Sequence, residues 1–351
     1  MEEGSQMFLI DTSRHGEPVY DPIVNQSLDN YLINDLRLPG HGLIMYINDP
    51  AVIIGRFQNA YAEVNLPYLK EQGIKLVRRS SGGGAVYHDR GNIVFENIVV
   101  GDLSNYGDFK AIGEPIAQAL RQLGIASAEV RGRNDIAVDG KKCSGMAMVK
   151  SGDAYAAGGT ILFDLDQTVA RQVLTPDRGK LESKGIKSVD ARITNLKPYL
   201  PTQYQTWTSD DFKDYLLCAL FEVDQVADIP TYHLTDEDWA IIDQRIADHY
   251  GQAAWNYGKN PGYQRYVSKH FPIGTISFNF SVQEQKISAI KVFGDFFTTG
   301  DPTKLESVLL GCGFDHDHLR ASLSQVNLAA NLGHVTVDEI IDLLMEDTNG
   351  N

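Results

Sequence analysis

The chain has 351 residues, 43% of them hydrophobic and 22% charged, so it is long and apolar enough to bury the core of one or two domains. Its net charge of −15, from 31 Lys and Arg against 46 Asp and Glu, argues against a protein that binds nucleic acid through its overall field. No apolar run approaches a membrane span, Met1–Gln6 does not resemble a signal peptide, and three widely spaced cysteines predict a reducing, cytoplasmic setting without disulfides.

The first half of the chain predicts many strands and few helices. Apolar spacing and turn residues predict, in chain order, a helix at 26–36, strands at 42–48 and 51–57, a short helix at 66–72, strands at 74–79 and 92–100, an amphipathic helix at 108–123, and strands at 135–138, 141–148 and 155–163. Asp139-Gly140 is a residue pair typical of a tight hairpin turn. Because hairpins outnumber strand–helix–strand units, we expect an α+β fold with a mixed, mainly antiparallel sheet.

After Gly185 the pattern changes to helices and then to a second sheet. Helices are predicted at 209–222 and 235–250, and Thr235 with Asp238 resembles a capping box. Strands at 263–269, 274–281 and 286–293 precede helices at 303–310, 316–325 and 337–345. We place a domain boundary near Gly251 and expect a large domain at 1–250 and a small α+β domain at 253–351.

Three consecutive glycines, Gly82, Gly83 and Gly84, stand between two predicted strands and closely follow Arg79. Such a loop lets the backbone approach a ligand, and its N–H groups can form a concavity for anions. The loop is not a P-loop, because no Gly-Lys-Ser/Thr follows, and not a dinucleotide fingerprint, because a strand follows where a helix is needed. The alternative is a flexible hairpin loop beside solvated arginines.

A second segment joins Asn134-Asp135 to Lys141 and Lys142 at a hairpin turn. Successive strand side chains face opposite ways, so only one lysine can point into a cleft lined by the sheet. Both lysines can instead be solvated, and Asn134-Asp135 can be a turn, a ribose contact or a Mg²⁺ ligand. The basic side chains of the two segments form a local cationic focus in an acidic chain, suited to an anionic nucleotide: Arg78, Arg79, Lys141 and Lys142.

Cys143 and a pair of glycines raise separate alternatives. A cysteine near lysines can be a nucleophilic thiolate, but alternation places Cys143 opposite Lys142 and therefore in the core if Lys142 faces the cleft. Gly158-Gly159, before Thr160 and an apolar strand, indicates either close approach by another group or a β-bulge.

Taken together, these segments resemble the lipoate–protein ligase A family. The resemblance rests on Arg-Arg-x-x-Gly-Gly-Gly-x-Val-x-His-Asp at 78–89, Arg-Asn-Asp at 133–135, Lys-x-Ser-Gly-x-Ala at 142–147, the stretch 180–196, and Trp-Asn-Tyr-Gly at 255–258, which resembles the start of the accessory domain of the two-domain form. The family implies a catalytic domain like those of class II synthetases and biotin–protein ligases, with a C-terminal accessory domain. It also implies that lipoate and ATP·Mg²⁺ give lipoyl-adenylate, and that the lipoyl group passes to a lysine of an E2 lipoyl domain or the glycine-cleavage H protein.

The resemblance also implies roles for individual residues. Lys142 is expected to be the catalytic residue, contacting both the lipoyl carbonyl and the phosphate, and Asp135 is the candidate Mg²⁺ ligand. The residues expected to bind ATP or the adenylate are Arg79, Gly82, Gly83, Gly84, Ala85, Val86, Tyr87, Asn134, Asp135 and Lys142. Those expected to bind lipoate are Lys142, Gly83, Val86 and Ala147.

The chain departs from the family at one place and leaves two other functions open. Ala157-Gly158 stands where the family often has His-His, which either removes polar help from that strand or leaves room for a different acyl chain. One alternative is an ATP-independent octanoyl or lipoyl transferase of the same superfamily, for which Cys143 would be the nucleophile. The other is a non-catalytic binder of an acyl-adenylate.

Overall fold

The computed structural model describes residues 7–174, 193–298 and 300–346. Most of the third signature stretch, from Lys180 through Arg192, lies outside the described residues. The structural statements that follow refer to the described residues.

An eight-stranded sheet and a three-stranded sheet form the framework of residues 7–250. The strands of the described chain are β1 (Phe8–Asp11), β2 (Gly40–Ile47), β3 (Ala51–Ile54), β4 (Lys75–Arg78), β5 (Val86–His88), β6 (Asn92–Val100), β7 (Glu129–Arg131), β8 (Asp135–Val138), β9 (Lys141–Ser151), β10 (Ala154–Leu162), β11 (Thr231–His233), β12 (Arg265–Phe271), β13 (Gly274–Gln283) and β14 (Lys286–Gly294). The large sheet has the order β11-β1-β2-β6-β10-β9-β8-β7, and the small one β4-β3-β5. Only β1 with β2, β1 with β11, and β3 with β4 pair in parallel, so the predicted mixed, mainly antiparallel α+β fold is confirmed.

The predicted helices are present, with some shifted ends. Helices lie at Pro22–Tyr31, Ala60–Glu63, Leu66–Gln72, Phe109–Gln122, Gln167–Val173, Ser209–Phe221, Asp236–Arg245, Ala253–Asn256, Thr303–Leu309, His316–Leu323, Leu328–Asn331 and Val337–Met345. The first begins at Pro22, earlier than predicted, because the Asp21 carboxylate accepts from the Ile23 N–H and proline suits the first helical position. The capping box of Thr235 with Asp238 is confirmed.

Among the described residues, the two largest hydrophobic clusters lie on either side of residues 251–262. The larger one packs the helices at Phe109–Gln122 and Ser209–Phe221 against one face of the eight-stranded sheet. Another joins the sheet β12-β13-β14 to the C-terminal helices. The rings of Phe57 and Phe296 stack with their centroids 5.0 Å apart. This contact joins the C-terminal unit to the segment that follows β3 of the small sheet β4-β3-β5. No helix in the described ranges is long and apolar enough to cross a membrane.

The strands that the sequence did not predict are short. β1, β5, β7 and β11 have only three or four residues each, which is too few to show an alternating pattern. Of these, β5 matters most for the site, because it follows the glycine-rich loop directly and pairs with β3.

Candidate functional site

A cavity of about 560 Å³ lies between the large sheet, the glycine-rich loop and the C-terminal unit. The helix at Pro22–Tyr31 and strands β2, β6, β9 and β10 form its floor and one side. Ile273, Asp295 and Phe297 reach it from the C-terminal unit. The cavity therefore brings together residues that are distant in the sequence.

Arg79 holds the glycine-rich loop in shape. Its guanidinium donates to the carbonyl oxygens of Gly82 at 2.7 Å, Gly84 at 2.8 Å and Ile53 at 3.1 Å. Gly83 has φ +95°, and a Cβ there would lie 2.7 Å from Nη2 of Arg79, so only glycine fits. Burial lowers the pKa of Arg79 to about 10, which still leaves it charged at neutral pH. The site thus has a buried cation under a bare backbone loop.

A β-bulge points Lys142 into the cavity. Ile136 and Ala137 of β8 pair with Ser144 and Lys142 of β9, which leaves Cys143 as the extra residue. In a regular strand Lys142 would share a face with the buried Ser144, but the bulge turns it to the face of Gly145. A Cβ at Gly145 would lie 2.5 Å from the Lys142 ammonium, so glycine makes room for this side chain.

Lys142 is paired with the neighbouring strand's carboxylate. Its ammonium lies 2.6 Å from Oδ1 of Asp135, and both side chains are more than two-thirds buried. Asn134 donates to the Met146 carbonyl, which ties the same hairpin to the cavity wall. The described residues contain no group of three or more His, Cys, Asp or Glu side chains arranged to hold a metal ion. A cation here would therefore need oxygen ligands from a substrate in addition to Asp135.

Most of the predicted site residues surround this one cavity. Those in its wall are Arg79, Gly83, Gly84, Val86, Asn134, Lys142 and Ala147. Gly82 instead packs beneath the C-terminal unit, since a Cβ on it would lie 2.2 Å from the Phe296 carbonyl oxygen. Ala85 and Tyr87 pack in a neighbouring hydrophobic cluster, so only their backbone atoms can serve a ligand. Their roles remain predictions.

The local cationic focus is smaller than the sequence suggested. Lys141 is exposed at the hairpin turn, and Arg78 is 5% exposed with its side chain directed to the segment after residue 250. Arg79 and Lys142 are therefore the members of that group that line the cavity.

Cys143 lies in the core, as alternation predicts. It is fully buried, and its thiol donates to the Ile136 carbonyl at 3.4 Å. Burial raises the pKa of the thiol to about 12, so it is not a thiolate at neutral pH. This position does not suit a nucleophile.

Gly158 and Gly159 allow close approach of the neighbouring strands, not of a bulky ligand. A Cβ at Gly158 would lie 1.9 Å from the Phe95 carbonyl oxygen, and one at Gly159 would lie 2.2 Å from that of Gly145. Ala157 is fully buried in the core. Ala157-Gly158, in place of the family's His-His, therefore presents only backbone atoms to the cavity. The backbone of β6 leaves no room for a side chain at Gly158.

No binding role was assigned from the sequence to several polar residues of the wall, among them Asp29, Tyr46, His88 and Glu96. Burial raises the pKa of Asp29 to about 7, and burial together with Asp29 raises that of Glu96 well above its usual value. Two signals were available, since His88 belongs to the signature at 78–89 and Glu96 is a charged residue within an otherwise apolar strand.

Comparisons with known proteins agree on one family. Residues 21–221 match the lipoyl protein ligase A/B catalytic domain, and residues 260–344 match the bacterial lipoate protein ligase C-terminus. The lipoate-protein ligase LplJ of Bacillus subtilis is 38% identical, covering 93% of this chain and 97% of its own. A lipoate–protein ligase of Streptococcus pyogenes is also 38% identical, covering 96% and 99%.

Solved structures show the same fold. LipL1 of P. falciparum, in complex with lipoate, superposes with a TM-score of 0.71 at 25% identity, covering 96% of this chain and 98% of that one. A lipoate-protein ligase A bound with ATP has a TM-score of 0.57 at 24% identity, covering 72% and 99%. A bipartite ligase of Thermoplasma acidophilum, described with its E2 lipoyl domain, has a TM-score of 0.59 at 24% identity, covering 74% and 98%.

Proposed function

Because the chain belongs to the lipoate–protein ligase A family, we propose that its cavity binds lipoate and ATP together and forms lipoyl-adenylate. The lipoyl group then passes to one lysine of an acceptor protein. The chain is therefore an enzyme of the ligase class, which forms an amide through an acyl-adenylate. The observation that carries the proposal is the Lys142 ammonium at the cavity wall, across from the loop that Arg79 holds.

In the first step a lipoate carboxylate oxygen attacks the α-phosphorus of ATP. The bond from that phosphorus to the bridging oxygen breaks, and pyrophosphate leaves with the electron pair. Lys142 offsets the negative charge that develops on the phosphoryl oxygens, and its largely buried position strengthens this interaction relative to water. Backbone N–H groups of the loop from Gly82 to Tyr87 supply further donors to the phosphates.

In the second step the amine of the acceptor lysine attacks the lipoyl carbonyl. A new C–N bond forms, the bond to the AMP oxygen breaks, and the amine loses a proton. Lys142 again faces the developing negative charge, now on the carbonyl oxygen. Cys143 takes no part, since its side chain lies on the core side of the sheet.

Asp135 fits the role of a Mg²⁺ ligand as part of the reaction with ATP. Mg²⁺ typically takes one or two protein carboxylates together with substrate phosphates, and it screens phosphate charge. Asp135 provides a carboxylate next to Lys142 on strand β8, so the phosphates would supply the other ligands. Asn134 lies in the same wall and is placed to contact the nucleotide.

Acceptor choice and cellular setting extend the same proposal. We place the catalytic domain at 1–250 and the accessory domain at 253–351, and we expect the acceptors to be E2 lipoyl domains and the glycine-cleavage H protein in the cytoplasm. The archaeal ligase described with its E2 lipoyl domain supports the first acceptor class.

Lipoate-dependent exchange of labelled pyrophosphate into ATP tests this function. The purified chain with lipoate, ATP and Mg²⁺ should support exchange, and adding an E2 lipoyl domain should produce a mass increase of one lipoyl group on it. Removal of Mg²⁺ by a chelator should abolish exchange because the phosphate charge is no longer screened. Binding of lipoyl-adenylate without any exchange would instead identify a non-catalytic binder.

Replacing Cys143 by serine separates the ligase from a cysteine-dependent transferase. We expect the exchange rate to stay within about twofold, while the free energy of unfolding falls by about 1–3 kcal/mol, because a hydroxyl is more costly to bury than a thiol. Exchange kinetics and urea unfolding of Cys143→Ser measure both quantities. Loss of acceptor modification in a folded Cys143→Ser protein would support the transferase instead.

A further inference from the structure

Three polar side chains in the cavity wall have polar atoms without a partner among the described residues. The Glu96 carboxyl makes no hydrogen bond or ion pair to the described part of the chain. Oδ1 of Asp29 and Nε2 of His88 are buried and likewise unpartnered. Buried polar groups are normally hydrogen-bonded, so groups that line a cavity without partners indicate where a ligand's polar atoms bind.

Strand register places Glu96 at a distance from Lys142. Lys142 packs over Gly145 of β9. Gly145 pairs with Thr160 of β10, which in turn pairs with Val94 of β6. Glu96 is two residues further along the same face of β6. Two inter-strand spacings of about 4.8 Å and two residues of about 3.3 Å along β6 separate the two positions by about 12 Å, which is comparable to the length of a medium-length acyl chain. A substrate whose carboxylate meets Lys142 can therefore reach Glu96 with its far end.

Asp29 lies beside this end of the cavity. Its Oδ2 accepts from the Tyr46 hydroxyl at 2.7 Å and from Gln26 at 2.9 Å, while Oδ1 stays without a partner. Tyr46 pairs with Val94 on the same face as Glu96, so the two carboxyls are neighbours. Burial raises the pKa of both carboxyls, and the charge of Asp29 raises that of Glu96 further. With one carboxyl protonated, the two side chains offer both a donor and an acceptor.

His88, on strand β5 after the glycine-rich loop, adds a fixed donor to the cavity wall. Asn25 donates to Oδ1 of Asn48 at 2.8 Å, so the Asn48 amide nitrogen donates to Nδ1 of His88 at 3.0 Å. This network places the imidazole proton on Nε2, the unpartnered atom. Burial lowers the pKa of His88 to about 3, so the ring stays neutral.

We propose that Glu96, with Asp29 beside it, is a specificity-determining residue that selects acyl chains carrying hydrogen-bonding groups at their far end over plain alkyl chains. The inference rests on the proposed ligase function and defines its substrate class further. A terminal hydroxyl, or the ring sulfurs of lipoate as weak acceptors, can pair with a protonated carboxyl of Glu96 or Asp29. A methyl-terminated chain of the same length removes water from these groups and returns no hydrogen bond, so the site rejects it.

The test compares lipoate, 8-hydroxyoctanoate and octanoate as substrates for pyrophosphate exchange by the full chain. We expect kcat/KM for lipoate and for 8-hydroxyoctanoate to exceed that for octanoate by about tenfold or more. Glu96→Leu should lower the ratio of kcat/KM for lipoate to that for octanoate, and the same ratio for 8-hydroxyoctanoate, by about tenfold each. The main effect should be better use of octanoate, because leucine fills a similar volume without a polar group. Glu96→Gln should keep at least half of the ratio for 8-hydroxyoctanoate, since an amide still donates and accepts.

Glu129→Gln is the matched control, because Glu129 is exposed on the edge strand β7 of the same sheet. It should leave all ratios unchanged. Ratios in folded Glu96→Leu within twofold of the original ones would overturn the proposal. If no acid supports exchange, the ligase function fails instead, and calorimetric titration of the three acids without ATP still measures the preference.

Discussion

Replacing Lys142 by alanine is expected to lower lipoate-dependent pyrophosphate exchange by about 10²-fold or more while the protein stays folded. The ammonium lies in the cavity wall, where it can offset charge on a phosphoryl or carbonyl oxygen, whereas the Arg79 donors are already bound to the carbonyls of Ile53, Gly82 and Gly84. Removing one preorganised donor of this kind typically costs about 10²–10³ in rate. Exchange kinetics at saturating lipoate and ATP measure the loss in kcat.

Lys141→Ala is the control, because Lys141 is the exposed neighbour on the same hairpin. The Lys141 side chain has the same charge and length as that of Lys142 but points to solvent. The exchange rate of Lys141→Ala should therefore stay within about twofold of that of the unmodified chain. Both variants should unfold in urea with midpoints close to that of the unmodified chain. Exchange retained by Lys142→Ala would remove Lys142 from the catalytic role.

Replacing Arg78 by methionine is expected to cost about 3 kcal/mol or more of unfolding free energy, the largest loss of stability predicted here. The guanidinium is 5% exposed and donates to Gly55, Arg56 and Gln58 on one side. On the other side it donates to the carbonyls of Trp255 and Asn256. Methionine keeps the apolar volume but leaves these carbonyls without a charged donor, and each such bond typically contributes about 1.5–3 kcal/mol.

The same change should loosen the segment that leads to the C-terminal unit. Methionine keeps the two bonds of the Arg78 backbone, whose carbonyl accepts from the Trp255 indole N–H and whose N–H donates to the Asn256 amide oxygen, both at 2.9 Å. Any loosening therefore reports the loss of the guanidinium bonds. Urea unfolding measures the stability, and the rate of proteolytic cleavage near residue 257 measures the loosening. Arg131→Met is the control, because exposed Arg131 donates to the Gly140 carbonyl, and it should change stability by less than about 0.5 kcal/mol. Equal stabilities of the two variants would show that Arg78 does not join the two units.

The sequence by itself determined the family, the fold class and the segments that form the cavity. Strand and helix predictions succeeded where the pattern was long, as at 92–100 and 337–345, because local periodicity reports which face is buried. The glycine triplet was identifiable because Gly83 needs a positive φ that other residues adopt at a cost. Given that Lys142 faces the cavity, the prediction that Cys143 lies in the core is also confirmed.

The tertiary structure decided which side chains meet. A one-residue bulge in β9 turns Lys142 to the face of Gly145 and Ala147, and no local pattern encodes a bulge, because it depends on the register with β8. Arg78 and Arg79 are adjacent in sequence, yet one holds the segment after residue 250 and the other holds the glycine-rich loop. Asp29, His88 and Glu96 come from a helix and two different sheets. Only long-range packing brings them to one cavity, where desolvation changes their pKa values and leaves polar atoms for a ligand.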